Sequence, residues 1–522
     1  MGANESPSHG TAEVRYISEQ LVFVVDAIVV VYFGGYALVN LALLAISSRV
    51  TAARLQTLEL LRPHKQATRT RTFHPLVSLI VPAFCEEVTI VANVKSLLSL
   101  EYPNLEIVIV NDGSDDHTVE AVRSAFAMVR SDVDYDPHLG TMPIRACFRA
   151  AGSLPETVKR LILLDKDNGG KADAINAGIN ASHGTYVITM DADSLLVPNA
   201  VELVMQPILD NPDEVVACGG QVALANGCQV EAGRLTRIAL PRRWIARFQI
   251  VEYIRSFTMS RTALGRVDAL LILSGVFAAF RRELLVEIGG FLTPQMRSRV
   301  GLEYCRVSNK TVCEDMEVVV RLHRYLRDHG LPGVARFLPF PVAWTEAPEI
   351  WGHLGRQRSR WYRGLWEVLR THREMMLRPR YGRIGLFALP YQLLFEALAP
   401  LLETLAYLMV PLSWALGLLS ARAVFSFGAF ALAFNLLLSV GSVTIAIRRL
   451  RAHGTERELV LLDYRGVNAV AILVLASFLS NLGYRQYLIW WQLRGFMDFI
   501  GGRSGWDKFG RQGFSQASTD PT

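Results

Sequence analysis

Long apolar stretches near both ends of the chain flank a middle region of ordinary soluble composition. Residues 21–46 carry a single charge, Asp26, and residues 423–447 carry none. A helix needs about 20 residues to cross the hydrocarbon core of a bilayer, so both stretches predict transmembrane helices. The stretch 384–419 is longer and is interrupted by prolines, which predicts a span with an interfacial segment. A weaker stretch, 466–483, leaves the number of C-terminal spans open.

The distribution of Lys and Arg predicts the orientation of these helices. Residues 1–20 hold one Arg and three Glu, whereas residues 47–72 hold six Lys or Arg and one Glu. Because cytoplasmic flanks are enriched in Lys and Arg, the first helix is expected to run from outside to inside. Nine Arg in residues 356–383 predict a second basic edge, where the middle region returns to the membrane. The sequence therefore predicts a multi-pass protein of the plasma (inner) membrane with a cytoplasmic middle region.

Short β-branched runs alternate with helical patterns between residues 74 and 345. The runs are 77–84, 106–114, 160–165 and 186–193. Such alternation predicts an α/β domain with a largely parallel sheet. In sheets of this kind ligands bind at the carboxyl ends of the strands. Asp112, Asp191 and Asp193 all fall at predicted strand ends, so we expect them to share one cleft.

Composition narrows the class of protein. Of the 522 residues, 51% are hydrophobic and 20% are charged, which is too apolar for a disordered chain. Six Cys without a Cys-x-x-Cys pair argue against a disulfide framework and against a zinc site of the usual spacing. The net charge of +6 would suit a nucleic-acid binder, but the basic residues gather at the membrane edges. No nucleic acid is therefore expected as a partner.

Several residues of the middle region suggest phosphate and metal chemistry. Asp191 and Asp193 are separated by one residue and can hold a hard cation, although such pairs also occur in surface loops. Asp112 lies in Asn-Asp-Gly-Ser-Asp-Asp, which is also typical of a plain turn. Lys171 follows two glycines at the start of a predicted helix, where backbone N–H groups and an ammonium group favour an anion.

Two later motifs suggest a base and a sugar platform. Glu314 and Asp315 open an amphipathic helix, where carboxylates serve as helix-stabilising groups or, in a cleft, as a general base. Gln357, Arg360 and Trp361 lie in the Arg-rich run. A membrane-facing helix would explain the arginines, whereas Trp is a usual platform for a sugar face and Arg a usual partner of phosphate.

Taken in order along residues 74–420, these motifs resemble family 2 glycosyltransferases, specifically the membrane-embedded processive synthases of cellulose, hyaluronan, chitin and poly-N-acetylglucosamine. The resemblance rests on PAFCEE, NDGSDD, GGKADAIN, DAD, SGVFAAFRRE, CEDMEV, WTEAP and QRSRW. It implies an α/β catalytic domain of the GT-A type, with a mostly parallel sheet, inserted between transmembrane α-helices. Cys85 departs from the pattern because the family usually has Asn there, and one N-terminal span stands where many synthases have two.

The resemblance also implies a role for each motif residue. The expected catalytic residues are the base Asp315 and its neighbour Glu314. The expected ligands of Mg²⁺ or Mn²⁺ are Asp193 and Asp191. The expected contacts to a UDP-sugar donor come from Asp112, at the uridine, and from Lys171, Asp191 and Arg360. The expected contacts to the acceptor come from Trp361, Gln357, Ser274 and Gly275.

The implied activity is inverting polymerisation of a β-linked polysaccharide from UDP-N-acetylglucosamine or UDP-glucose, with passage of the product through the membrane helices. A growing glycan and the lipid bilayer are then partners, and accessory export subunits are compatible with this reading. Two alternatives stay open. A single-transfer enzyme acting on a lipid carrier would normally lack QxxRW, and a non-catalytic assembly subunit would lack a base or a metal carboxylate.

These predictions divide the chain into seven parts. They are an extracytoplasmic tail (1–20), a transmembrane helix (21–46), a basic cytoplasmic linker (47–73), the cytoplasmic GT-A domain (74–345), the QxxRW and interfacial segment (346–383), transmembrane and interfacial helices (384–500) and a C-terminal tail (501–522).

Overall fold

The computed structural model describes residues 9–61, 73–132, 134–231, 234–308, 310–453 and 467–502. Parts of the predicted tails, linker and last basic loop lie outside these ranges, namely residues 1–8, 62–72, 454–466 and 503–522. Within the described ranges, an α/β domain is joined to long apolar helices at both ends.

The α/β domain is built on strands that begin with the predicted run at Val77. The strands are β1 (Val77–Ala83), β2 (Leu105–Asp112), β3 (Met128–Arg130), β4 (Ile144–Ala150), β5 (Val158–Lys166), β6 (Tyr186–Met190), β7 (Leu195–Leu196), β8 (Val215–Leu224), β9 (Gln229–Glu231), β10 (Arg234–Arg237), β11 (Phe277–Arg281) and β12 (Val334–Thr345). The four predicted runs are β1, β2, β5 and β6. β2 ends two residues before the predicted boundary because Gly113, with φ of 70°, turns the chain.

Ten strands form one sheet in the order β3-β4-β5-β2-β1-β6-β11-β8-β12-β7. The central neighbours β5, β2, β1 and β6 all pair in parallel, so the predicted, mostly parallel central sheet is confirmed. Antiparallel pairs flank this centre, and β11 runs antiparallel to β6. Every residue of β2 and β6 is buried, as expected for strands covered by helices on both faces.

The helices follow from the same patterning. They are α1 (His9–Leu61), α2 (Ile90–Leu97), α3 (Thr118–Ala125), α4 (Lys171–Asn180), α5 (Ala200–Asp210), α6 (Trp244–Ile254), α7 (Thr262–Arg266), α8 (Arg282–Glu287), α9 (Arg299–Tyr304), α10 (Glu314–Asp328), α11 (Trp351–Thr371), α12 (Leu389–Gln392), α13 (Ala399–Ala415), α14 (Ala421–His453), α15 (Val467–Leu479) and α16 (Arg485–Ile500). A π-helical segment, Arg255–Arg261, joins α6 to α7.

Among the described residues, two helices are long and apolar enough to cross a membrane. They are Val22–Ala53 within α1 and Ala421–Arg449 within α14. The segment Ile384–Ala397 and α13 would form a third if this pair, bent by 41°, is one span. Pro400 lies in the first turn of α13, where a missing N–H is tolerated, so it marks a fresh helix start. Residues 47–61, expected in the linker, continue α1 instead.

Helical geometry is interrupted near the end of the weaker apolar stretch 466–483. α15 has 13 residues, which rise only about 20 Å and so fall short of the bilayer core. Leu482 and Gly483 then leave helical geometry, Gly483 with φ of 92°, before α16 begins. The break lets α16 turn and pack along α11.

Close packing of α11 on α16 depends on two glycines. A Cβ at Gly355 would clash with the Trp491 ring, and a Cβ at Gly495 would clash with the carbonyl of Ser359. Because Gln357, Arg360 and Trp361 lie on α11, the C-terminal helix supports the helix that carries the QxxRW motif.

A buried ionic cluster anchors α10 in the domain. Arg321, fully buried, donates to both carboxylate oxygens of Glu317 at 2.8 Å and to the carbonyls of Ile288 and Gly290. Burial alone would raise the pKa of Glu317, but Arg321 and His372 hold it at about 2. Cys305, Glu317 and His372 lie close enough to hold a metal ion, but Arg321 already neutralises the carboxylate, so we interpret the cluster as structural.

Candidate active site

The sheet brings acidic residues to one edge. Asp112 ends β2 and Asp191 directly follows β6. Both strands pair in parallel with β1, so their carboxyl ends lie at the same edge of the sheet, on either side of β1. The antiparallel strand β11 begins beside the end of β6, and the Asp191 amide donates to the Val276 carbonyl at 3.3 Å. Gly275 is thereby placed next to the same edge.

Asp112 holds the glycine loop that opens α4. Its carboxylate accepts from Lys166 Nζ at 2.6 Å and from the amides of Gly169 and Gly170 at 3.0 and 2.7 Å. Lys166, fully buried, also pairs with Asp173 at 2.7 Å. Gly170 has φ of 88°, a conformation that favours glycine. Asp112, the residue predicted to contact uridine, therefore lines the cavity while its carboxylate binds groups of the protein.

Lys171 links three elements of the site. Its Nζ lies 2.6 Å from Asp191 Oδ1, 3.2 Å from Glu314 Oε1 and 3.4 Å from the Gly275 carbonyl. Burial lowers the pKa of this ammonium, but the two carboxylates more than offset that effect, so the pKa is raised. Lys171 therefore remains charged and neutralises part of an acidic cluster.

Asp315 has the properties of a proton acceptor. Its Oδ2 accepts from the Gly275 amide at 3.1 Å and its Oδ1 from the Met316 amide at 2.9 Å. Burial and the neighbouring Glu314 raise the pKa of Asp315 to about 6, although Lys171 opposes them. A carboxylate that titrates near neutral pH and faces a cavity is suited to general-base chemistry.

Asp191 and Asp193 fit a hard divalent cation. Both line the same cavity, and Asp193 is 8% exposed. The turn between them is fixed because Asn93 Nδ2 donates to the Ala192 carbonyl. Mg²⁺ and Mn²⁺ prefer oxygen ligands, and Mg²⁺ sites commonly use one or two carboxylates plus substrate phosphates. The pair supplies such a donor set at the edge where Lys171 supplies positive charge.

Helix α11 brings the QxxRW residues to the start of α10. The Cys313 thiol donates to the Trp361 carbonyl at 3.6 Å, which ties the two helices together. The Arg358 guanidinium lies 4.6 Å from the centre of the Trp361 ring. Gln357 Oε1 is buried, and no described residue donates a hydrogen bond to it. Gln357, Arg360 and Trp361 all line the cavity that holds Asp315.

One cavity of about 1930 Å³ connects these groups to the apolar helices. All of the predicted site residues line it: Asp112, Lys171, Asp191, Asp193, Ser274, Gly275, Glu314, Asp315, Gln357, Arg360 and Trp361. It continues past Tyr36 of α1, Glu403 of α13 and Phe427 of α14. The candidate active site and the candidate membrane helices thus share one continuous space.

Sequence reasoning missed cavity residues contributed by α6 and the π-helical segment. Glu252, Tyr253 and Arg261 line the cavity beside the predicted residues. One sequence signal could have found them. A few charged residues interrupt the mostly apolar run 244–272, and a plain amphipathic helix does not require them there.

Two family models match the chain. The model described as Glycosyl transferase family group 2 matches residues 186–445, and the model described as Glycosyl transferase family 2 matches residues 78–137. Together these ranges cover more than half of the chain, which belongs to the family 2 glycosyltransferases. Its α/β domain is a GT-A domain.

The curated relatives that the chain matches include polysaccharide synthases of two staphylococci. The poly-beta-1,6-N-acetyl-D-glucosamine synthases of Staphylococcus epidermidis and of Staphylococcus aureus strain COL are each 25% identical, over 293 and 297 residues. Each match covers 56% of this chain and 55% of the relative, so the chain spans about half the length of the curated relatives it matches.

Two solved transferases are similar at lower identity. The Pyrobaculum calidifontis mannosyltransferase, solved with GDP-Man and Mn²⁺, is 19% identical with a TM-score of 0.45 and covers 85% of this chain and 99% of its own. Glucosyl-3-phosphoglycerate synthase of Mycobacterium tuberculosis, solved with Mn²⁺ and UDP-glucose, is 16% identical with a TM-score of 0.32. The match covers 57% of this chain and 80% of the synthase.

The carboxylate pair makes a testable prediction about metal dependence. Asp193→Ala should lower sugar transfer by at least about 10²-fold, because a metal ion contributes several kcal/mol of charge stabilisation. Transfer is measured against Mn²⁺ and Mg²⁺ concentration, with EDTA-treated wild type as reference. Asp213→Ala, an exposed Asp in the loop after α5, serves as the matched control. Full activity of Asp193→Ala, or of wild type in EDTA, would contradict the metal assignment.

Proposed function

We propose that this chain polymerises β-linked poly-N-acetylglucosamine from UDP-N-acetylglucosamine and passes the product through its own membrane helices. The observation that carries the proposal is the continuous cavity from Asp191 and Asp315, past Trp361, to residues of α1, α13 and α14. The named activity of the staphylococcal relatives favours N-acetylglucosamine over glucose as the sugar. The QxxRW motif favours a polymer over a single transfer to a lipid carrier.

The proposed reaction begins at the acceptor hydroxyl. Asp315 accepts its proton while the hydroxyl oxygen forms a bond to the anomeric carbon of the donor, and the bond to UDP breaks. One base acting in one displacement inverts an α-linked donor to a β-linked product. The Gly275 amide fixes Asp315 Oδ2 in place, so the base is positioned before substrate binds.

Negative charge that develops on the UDP leaving group requires compensation. Lys171 pairs with Asp191, and Lys171 and Arg360 both line the cavity and supply positive charge. When bound, Mg²⁺ or Mn²⁺ would add charge on the diphosphate, held by Asp193 and Asp191. Asp112 shapes the donor end of the cavity by fixing the loop at Gly169 and Gly170.

The acceptor side of the proposal centres on α11. The Trp361 ring, in contact with Arg358 and exposed to the cavity, offers a platform for the terminal sugar. Gln357 Oε1 is buried and accepts no hydrogen bond from the described residues, so a sugar hydroxyl or amide can donate to it. Ser274 and Gly275 line the path beside Asp315.

The proposal places the catalytic domain in the cytoplasm, where UDP-sugars are made available to the site. The Lys and Arg bias around α1 and α11 supports this orientation. α1, α13 and α14 then surround the membrane part of the cavity, and the product leaves toward the outside.

This topology can be tested by labelling with a membrane-impermeant thiol reagent added outside the cell. A Cys placed in residues 1–8 should be labelled, and a Cys placed in residues 66–72 should not.

The role of Asp315 as the base can be tested by substitution. Asp315→Asn keeps the shape of the side chain but cannot accept a proton, so transfer should fall by about 10²–10⁴-fold. UDP affinity, measured by calorimetry, should survive. In the wild type, transfer should also decline as pH falls below about 6, where Asp315 becomes protonated. Loss of UDP binding to the same degree as transfer would show that Asp315 has a structural role instead.

The product makes a further prediction. Purified enzyme in nanodiscs with labelled UDP-N-acetylglucosamine should give a ladder or high-mass polymer sensitive to a β-specific glycosidase. Trp361→Ala should shorten the product while background release of UDP persists, because the terminal sugar is no longer held. Trp490→Ala, at an exposed Trp of α16, is the control for a general interfacial anchor. A single sugar on a lipid carrier at saturating donor would overturn the proposal in favour of a single-transfer enzyme.

A further inference from the structure

Arg261 is a cavity-lining cation with an unsatisfied hydrogen-bond donor. Its Nη1 is buried, and no described residue accepts a hydrogen bond from it. The guanidinium lies 4.3 Å from the centre of the Phe257 ring, which holds one face of the group. A buried donor without a partner is costly, so retaining Arg here points to a partner that arrives from outside the protein.

The position of Arg261 relates it to the transfer site. It is the last residue of the π-helical segment Arg255–Arg261, a geometry that is frequent at functional sites. The carboxylates of Asp315 and Glu396 both act on its charge. Glu396 belongs to the segment Ile384–Ala397 that precedes α13, so the charge of Arg261 is influenced both by the proposed base and by a carboxylate of the apolar helices.

Arg255, at the other end of the same segment, is a structural arginine and can be compared with Arg261. Its Nη1 donates to Asn435 Oδ1 at 3.2 Å, and its Nη2 donates to Tyr36 Oη at 2.9 Å. Those bonds tie the π-helical segment to α1 and α14. Arg261 has no such bond from Nη1, although it lies only six residues further along the chain.

We propose that Arg261 is an acceptor-binding residue, whose guanidinium donates hydrogen bonds to oxygens of the terminal sugar while Asp315 accepts the proton of the attacking hydroxyl. The inference rests on the proposed function and deepens it. Lys171 contacts Asp191 and belongs to the donor side, whereas Arg261 lines the cavity and interacts electrostatically with Asp315 and Glu396. The planar fork of Arg can donate to two neighbouring oxygens of one sugar ring.

The same arginine also influences the base. The charged groups that act on Asp315 are Glu314 on its own helix, Lys171 from α4 and Arg261 from the π-helical segment. Arg261 favours the ionised carboxylate, so its removal raises the pKa of Asp315. Because transfer requires the ionised base, the acidic limb of the pH profile should move to higher pH in a variant that lacks the guanidinium.

The test compares Arg261→Met, which keeps the packing stem over Phe257, with Arg261→Lys, which keeps the charge. Arg266→Met, at an exposed position of α7, is the matched control. All are assayed as full-length chain in nanodiscs with UDP-N-acetylglucosamine and a short N-acetylglucosamine oligomer as acceptor. The readouts are the acceptor KM, UDP affinity by calorimetry, the pH profile and the melting temperature.

Arg261→Met should raise the acceptor KM by about tenfold or more, the loss expected for a hydrogen bond from a charged group. UDP affinity should stay unchanged, the acidic limb should move to higher pH, and the melting temperature should be equal or higher because an unsatisfied buried donor is removed. Arg261→Lys should recover part of the acceptor affinity. Arg266→Met should match wild type.

Three outcomes would overturn the inference. An unchanged acceptor KM would remove Arg261 from the site, a matching loss of UDP affinity would move it to the donor side, and a lower melting temperature without a pH shift would make it structural. If wild type transfers no sugar from UDP-N-acetylglucosamine, the proposed function itself fails. If wild type is active and Arg261→Met equals Arg266→Met, only the inference about Arg261 fails.

Discussion

The charge balance at the carboxyl edge of the sheet is the constraint on which the rest of the site depends. Asp112 of β2, Asp191 after β6, and Glu314 and Asp315 of α10 all line the cavity there, and neighbouring like charges repel. Two ammonium groups hold them together: Lys166 binds Asp112 and Asp173, and Lys171 binds Asp191 and Glu314. These bridges join α4 to the end of β2, to the residue that follows β6 and to the first turn of α10.

This arrangement leaves Asp315 in a distinct state. Asp112 is neutralised by Lys166 and two amides, whereas Asp315 accepts only backbone amide hydrogen bonds among the described residues. Its pKa of about 6 follows from burial beside Glu314. Carboxylates on one edge are thus divided by their surroundings into groups that hold structure or bind cations and one that is suited to move a proton.

Parts of this arrangement follow from local sequence patterns. The parallel centre was predictable because β-branched runs such as 77–84 alternate with helices, and strand-end carboxylates in such sheets face one cleft. The gathering of Asp191, Asp315 and Trp361 in one cavity was predictable only through the family resemblance, since periodicity alone does not say that α11 passes α10.

Other parts depend on contacts between distant segments, which local patterns do not encode. The bonds of Arg321 join residues 288, 290 and 317, and the position of Arg261 depends on packing of the π-helical segment against α1 and α14. The extension of α1 to Leu61 and the break at Leu482 and Gly483 were not predicted, because uncharged runs mark where a helix is apolar and not where it ends.

Under the proposed function, the cavity shared by the GT-A site and the apolar helices serves both synthesis and passage of the product. In this account the bond to the new sugar forms where the acceptor already lies at the entrance to the membrane part of the cavity. Trp361 and Arg261 hold the chain end on that route, and α16 supports Trp361 through the close packing at Gly355 and Gly495. Synthesis and passage then use a single enclosed path.

The most direct test of this coupling uses proteoliposomes that contain only this protein, with the catalytic domain facing outward. Labelled UDP-N-acetylglucosamine is supplied outside, and the product is treated with a glycosidase specific for β-linked N-acetylglucosamine before and after detergent. A labelled polymer should form that resists digestion until detergent opens the vesicles, and no polymer should form with Asp315→Asn. A polymer that is digested fully without detergent would contradict the coupling.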